Sequence, residues 1–227
     1  MSPPLGTVLE KTRDYILSKD TNPDLSSQWN VIGLSRSGMT VPQSYYDTFY
    51  NNAAGELAMR QGILSKSKYS EYSKLILSMT AIGKDAQNID GYNLFSYLAD
   101  FKNVKKQGTN GPIWALIALN CNERYSIPQV AGVSEQTTEE KLINYILERE
   151  ISGGGWAMSG GIADSDLTGM GIQALAPYYG TDSRVTASVD RGLNVLSNMQ
   201  NATGGFLALG AETSESIAQV VTGLTAL

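Results

Sequence analysis

Apolar positions along the chain fall into two alternating kinds of segment. In the first kind they recur every three or four residues among charged ones. These segments are LEKTRDYILSK (9–19), YNNAAGELAMRQGIL (50–64), YNLFSYLADF (92–101), TTEEKLINYILERE (137–150) and RVTASVDRGLNVLSNMQ (184–200). That spacing predicts amphipathic helices with one face in water. In the second kind the apolar residues run together with Ala, Gly and Ser: SSQWNVIGLSRSG (26–38), YSKLILSMTAIGKD (72–85), NGPIWALIALNCN (110–122), GGGWAMSGGIADSDLTGMGIQAL (153–175) and TGGFLALGAETSESIAQVVTGL (203–224). Helices of this composition are expected to be buried nearly all round, and their small residues permit close approach. Pro112 suits a first helical turn, Thr137 and Glu140 have capping-box spacing, and SGGG, GTD and NATGG read as turns.

The last two apolar segments are visibly related. Both run Gly-Gly-aromatic, short loop, polar-acidic trio, apolar helix, and aligning Leu175 with Leu224 matches Asp166 to Glu215 and Ala174 to Gly223. Leu34, Ile82 and Leu119 anchor three weaker copies. The chain therefore reads as about five pairs, each a polar helix followed by an apolar one. Such pairs stack as an open solenoid or close as a double ring, and periodicity leaves both open.

Composition removes several chemistries. The 227 residues include no histidine and one cysteine, Cys121, so His/Cys zinc sites, Ser-His-Asp and Cys-His catalysis and an intrachain disulfide are excluded. A carboxylate-only site for a hard cation stays open, and no metal site is assigned. Net charge is −5 without a basic block, which argues against nucleic acid as a partner. No apolar run reaches membrane-spanning length, so membrane insertion is not expected. MSPPLGTVLEK is not a signal peptide and VVTGLTAL stops inside a predicted helix. We therefore expect one domain over 1–227, with residues 1–6 and the C-terminal end read as places where a longer protein is cut and its targeting segment missing.

GGGWAMSGGIADSDLTGMGIQALAPYY and ETSESIAQVVTGLTAL, supported by YSKLILSMTAIGKD, QGTNGPIWALIAL and KLINYILERE, resemble the prenyltransferase/squalene-oxidase repeat proteins over roughly residues 7–227. The likeness is greatest to bacterial secreted and surface members, which are related to the helical domain of the transcobalamin and intrinsic-factor cobalamin carriers. It implies an all-α chain with an α/α-toroid fold, an inner ring of helices inside an outer one. A full toroid has six pairs, so five leave the ring open or place the last pair beyond Leu227. QNATGGF also looks like the QW repeat of squalene cyclases, with Gln200, Gly204 and Phe206, whereas the copy at Trp156 carries Glu150 for the glutamine. The polar residue of that motif would bind backbone at a helix end while the aromatic plugs the gap between helices.

Squalene–hopene-type cyclases protonate an alkene with an Asp-x-Asp-Asp-Thr motif. DSDLT keeps Asp164, Asp166 and Thr168 but has Leu167 where the last aspartate belongs. The competing expectation is that Asp164 or Ser165 caps a helix and Asp166 sits in its first turn, as Glu215 and Asn110 would in other copies. A toroidal glycoside hydrolase pairing Asp166 with Asp100, Glu215 or Glu56 is a further alternative. Protein prenyltransferases need Cys and His for zinc, and thioester domains need Cys-Gly-Glu-Gln, which LNCNE around Cys121 lacks. Asn201 matches a glycosylation acceptor but reads first as a turn.

The function implied is a non-enzymatic extracellular or cell-surface binding module. Its partner is a small molecule, with a corrinoid such as cobalamin the named candidate, or a cell-surface protein. The candidate ligand-binding residues are Trp156, Asp164, Asp166, Asn110, Glu215, Trp29 and Tyr72, and no bound cofactor is expected. The alternatives are a cyclase-like enzyme with Asp166 as general acid and a passive adhesion or spacer scaffold.

Overall fold

The computed structural model describes residues 4–208 and 211–227, except for the side chain of Ala208. Among these residues the chain is predominantly helical, with eleven α-helices: α1 (Leu5–Lys19), α2 (Gln28–Arg36), α3 (Gln43–Met59), α4 (Ser70–Ala81), α5 (Leu94–Tyr97), α6 (Phe101–Val104), α7 (Asn110–Asn120), α8 (Glu139–Glu148), α9 (Ser165–Leu175), α10 (Ser183–Met199) and α11 (Ser214–Thr225). A two-stranded antiparallel hairpin, β1 (Leu207–Ala208) and β2 (Ala211–Glu212), pairs Leu207 with Glu212. The chain divides into two compact units, residues 1–66 with 71–97 and residues 67–70 with 98–227.

In the second unit the contrast between polar and apolar helices is realised as burial. Nine of the eleven residues of α9 are buried, against three of ten in α8 and five of seventeen in α10. α9 is flanked by α7, α10 and α11. Two glycines set the α9–α11 spacing: a Cβ on Gly169 would lie 2.7 Å from the Gln219 carbonyl oxygen, and one on Gly223 would meet the Gly169 carbonyl. α11 departs from the expected all-round burial, with Val221 and Leu224 at 50% and 46% exposure. Its main neighbour is α9, so it lacks the three-sided surround that α9 has.

The first unit is built on α1 to α5. α3 begins well before Tyr50 and stops where Gln61 and Gly62 take positive φ and the Gly62 N–H donates to the Leu57 carbonyl. At Gly62 the positive φ strains any side chain, and a Cβ would displace the Tyr97 hydroxyl.

The segment 92–101 is not one helix but α5 and α6, separated at Asp100. The backbone there is extended and forms a bridge with Gln136, flanked by bonds from the Thr137 N–H to Ala99 and from the Phe101 N–H to Glu135. Strand-like pairing with residues 35 or so positions away overrides the local helical pattern. The unit boundary, between Tyr97 and Leu98, falls inside this break. The capping box is also corrected. Thr138, not Thr137, caps α8 by accepting the Lys141 N–H, while the Thr137 hydroxyl is buried without a partner.

Candidate functional site

The turn at Trp156 shows why this sequence folds as it does. After α8 the chain reverses through Gly153, Gly154 and Gly155, all at positive φ. The Gly154 N–H donates to the Ile151 carbonyl and the Ile151 N–H to the Gly155 carbonyl. Gly154 is doubly constrained, since a Cβ there would also strike the Arg191 backbone of α10. The Asp164 N–H then returns to the Trp156 carbonyl, 2.9 Å away, and α9 begins.

The same scheme recurs in the last copy. Gly204 donates to Asn201, Asn201 to Gly205, and Thr213 to the carbonyl of Phe206. Asp164 Oδ1 accepts the Leu167 N–H at 2.7 Å, and Thr213 Oγ1 accepts the Ser216 N–H at 3.1 Å. Ser165 donates to Asp166, and Ser214 donates to Glu215. The alignment of Asp166 with Glu215 is therefore a backbone equivalence: each is the second residue of its helix. Asn110 is the first residue of α7, and Pro112 the third, where it removes no helical bond.

Trp156 is fully buried. Its Nε1–H donates to the Ile146 carbonyl at 2.8 Å, and its ring fills the space left by Gly171 and Gly192. The equivalent Phe206 is also buried. Thr168 is consumed by the turn, its Oγ1 accepting the Trp156 N–H and donating back to the Trp156 carbonyl. Trp156, Asp164 and Thr168 thus meet as parts of one turn, with Trp156 offering no surface to a ligand. Tyr72, in the other unit, is likewise a core residue. It stacks on Tyr97 with ring centroids 4.7 Å apart, accepts the Leu64 N–H and donates to the Gly62 carbonyl. Trp29, on α2, is the one aromatic of the candidate set with an open face, at 51% exposure.

Burial raises the Asp164 carboxyl above the ordinary aspartate range, outweighing the N–H groups of Leu167 and Met158 that favour the anion; the Asp166 charge adds to the rise. Asp100 goes the other way. Burial alone would raise it, but hydrogen bonds from Ser134 and from the Lys102 and Glu135 backbone hold it low, so it is a poor proton donor. Glu56 is engaged by Arg60 through an i,i+4 pair. Asn201 spends its amide on the turn, donating to Glu212 and accepting from Thr203 and Gly205.

No known protein family matches the chain, and neither does any curated protein or solved structure.

Concave surfaces lie elsewhere. One groove of about 570 Å³ runs between α8 and α10, where Glu150 accepts both Arg191 Nε and Nη2 at 2.6 and 2.7 Å and the Ser188 hydroxyl at 2.7 Å. Glu150 stands where the next copy has Gln200, which donates to the Gly204 carbonyl and closes its own turn. The exchange of an amide for a carboxylate was visible in the sequence, but its arginine partner is 41 residues away. Two further grooves of about 510 and 320 Å³ adjoin the loop before α2 and the C-terminal half of α3. None of these three grooves is lined by Asp164 or Asp166. Among the described residues no three Asp, Glu or Cys side chains gather as a metal site, and no helix is long and apolar enough to cross a membrane.

Proposed function

We propose that the chain is a non-catalytic binding module assembled from helix pairs of the α/α-toroid type. One observation carries this reading. The carboxylates that would serve a cyclase motif sit at a helix start: Asp166, its general acid, is the second residue of α9 as Glu215 is of α11, and Asp164 is the N-cap, a place taken in the next copy by Thr213. A threonine performs the same capping and no acid chemistry at pH 7, so the position is a structural one that happens to hold a carboxylate.

The reading predicts an ordering of variants. Asp164→Ala should cost about 1 kcal/mol, whereas Asp164→Thr should stay within a few tenths of wild type. pH separates a further variant. Because the folded-state value is raised, the folded chain holds this proton more tightly than the unfolded chain, and ionising Asp164 subtracts stability as pH climbs through that window. Asp164→Asn keeps a capping acceptor and removes the titration. Its thermal stability relative to wild type should therefore rise as pH climbs from about 4, the ordinary aspartate value, toward neutral. A flat difference across that range would count against the assignment.

The ligand class rests on the resemblance to the cobalamin carriers, as does placement outside the cell or on its surface. Titrating the purified chain with cobalamin and with a base-free corrinoid, followed by visible absorption and calorimetry, tests it. Weak saturable binding with a spectral shift is the expected result, since in those carriers a second domain completes the site. Absence of both heat and spectral shift would remove corrinoids as the ligand.

A further inference from the structure

The two grooves of the first unit share Leu25, Ser26 and Arg60 and so form one continuous cleft. It runs along α3 from Asn51 to the capping residue Arg60 and ends against the first two turns of α4 at Glu71 and Lys74. Its narrower end is lined by Gln28, which is 2% exposed and whose Oε1 is buried with no hydrogen-bond partner. A buried acceptor left unmatched is costly, and in native proteins it calls for a missing donor.

We propose that this cleft binds a neutral, hydroxyl-bearing chain, an oligosaccharide. The charge on its walls is already matched internally. Arg60 is held by Glu56 and Lys74 by Glu71, so an anionic ligand would have to break an ion pair to gain one. Asp24 is likewise occupied by the Ser26 N–H and hydroxyl. What the cleft offers is carboxamide groups: those of Asn51 and Gln28, with the Asn22 amide and the Asn52 oxygen, the Asn52 amide being given to Asn22 Oδ1 and the Pro23 carbonyl. That mixture suits hydroxyls, which need a donor and an acceptor side by side. Leu25 and Met59, the latter 71% exposed, supply the apolar patch on which the C–H face of a sugar rests. The cleft is elongated and open, and each of its parts falls in the size range of ligand sites.

The site uses residues of the first unit only and does not depend on the corrinoid reading; either can fail alone. The test is a titration of the 15N-labelled chain with maltotriose, with tri-N-acetylchitotriose and with glycylglycine, following side-chain amide signals. Expected are saturable shifts of the Gln28, Asn51 and Asn52 amides with one of the two sugars, at a Kd of about 0.1–10 mM. Gln28→Leu should weaken that binding at least tenfold while leaving the melting temperature equal or higher, because it removes the unmatched acceptor. Asn51→Ala, on the exposed face of α3, should weaken it several-fold with the fold untouched. No saturable shift up to about 50 mM sugar, shifts that survive in both variants, or shifts with glycylglycine alone would each overturn the proposal.

Discussion

Trp156→Ala is expected to destabilise the second unit by about 3–5 kcal/mol, and to lower its melting temperature by roughly 6–20 °C. Two losses combine. The ring fills the gap between α9 and α10 against Gly171 and Gly192, which lack side chains with which to collapse into the hole. The Ile146 carbonyl also loses the donor that ties the end of α8 to the turn. Against a total stability of about 5–15 kcal/mol for an ordinary domain, this is enough to populate the unfolded unit. Trp156→Phe should cost distinctly less, because Phe206 occupies the equivalent place in the next copy. Urea unfolding followed by far-UV circular dichroism, with Trp29 and Trp114 as remaining fluorophores, would show whether one unit or both respond. Unfolding indistinguishable from wild type would return Trp156 to the list of candidate ligand contacts.

The reach of the sequence was set by how local each determinant is. The polar and apolar helices of the second unit were legible because the period that makes a helix also sorts its faces, whereas α2, expected to be buried nearly all round, buries three of its nine residues. The match of Asp166 to Glu215 was legible because the whole turn, from the glycines to the capping residue, lies within a short stretch of each copy. The break between α5 and α6 was not. It depends on pairing of residues 99–101 with 135–137, and nothing near YNLFSYLADF announces that partner. The exposure of α11 was hidden for the same reason, since burial depends on neighbours and its composition is as apolar as that of a buried helix. Of the candidate site, Asp164, Asp166, Asn110 and Glu215 proved to share helix starts, while Trp156 and Tyr72 went to the core. Gln28 belongs to no motif. Its interest arises only from the cleft that α3 and α4 build around it.

The glycine pair between α9 and α11 provides the second large effect. Gly169→Ala and Gly223→Ala each place a methyl group against backbone, the Gln219 carbonyl in one case and the Gly169 carbonyl in the other. Backbone cannot yield by changing rotamer, so the helices must separate, which typically costs about 1–3 kcal/mol. Alanine returns up to about 1 kcal/mol of helix propensity, leaving an expected net loss of up to about 2 kcal/mol for each variant. Gly33→Ala is the matching control. It sits in α2 with open space where its Cβ would go, and should stabilise by about 0.4–1 kcal/mol. The double variant Gly169→Ala/Gly223→Ala discriminates further. Both methyl groups push on the same crossing, so once one has separated the helices the second meets less resistance, and the two losses should sum to more than the double variant shows. Strict additivity in urea unfolding would mean that the two positions relax independently, and that α9 and α11 are not held at one shared point of contact.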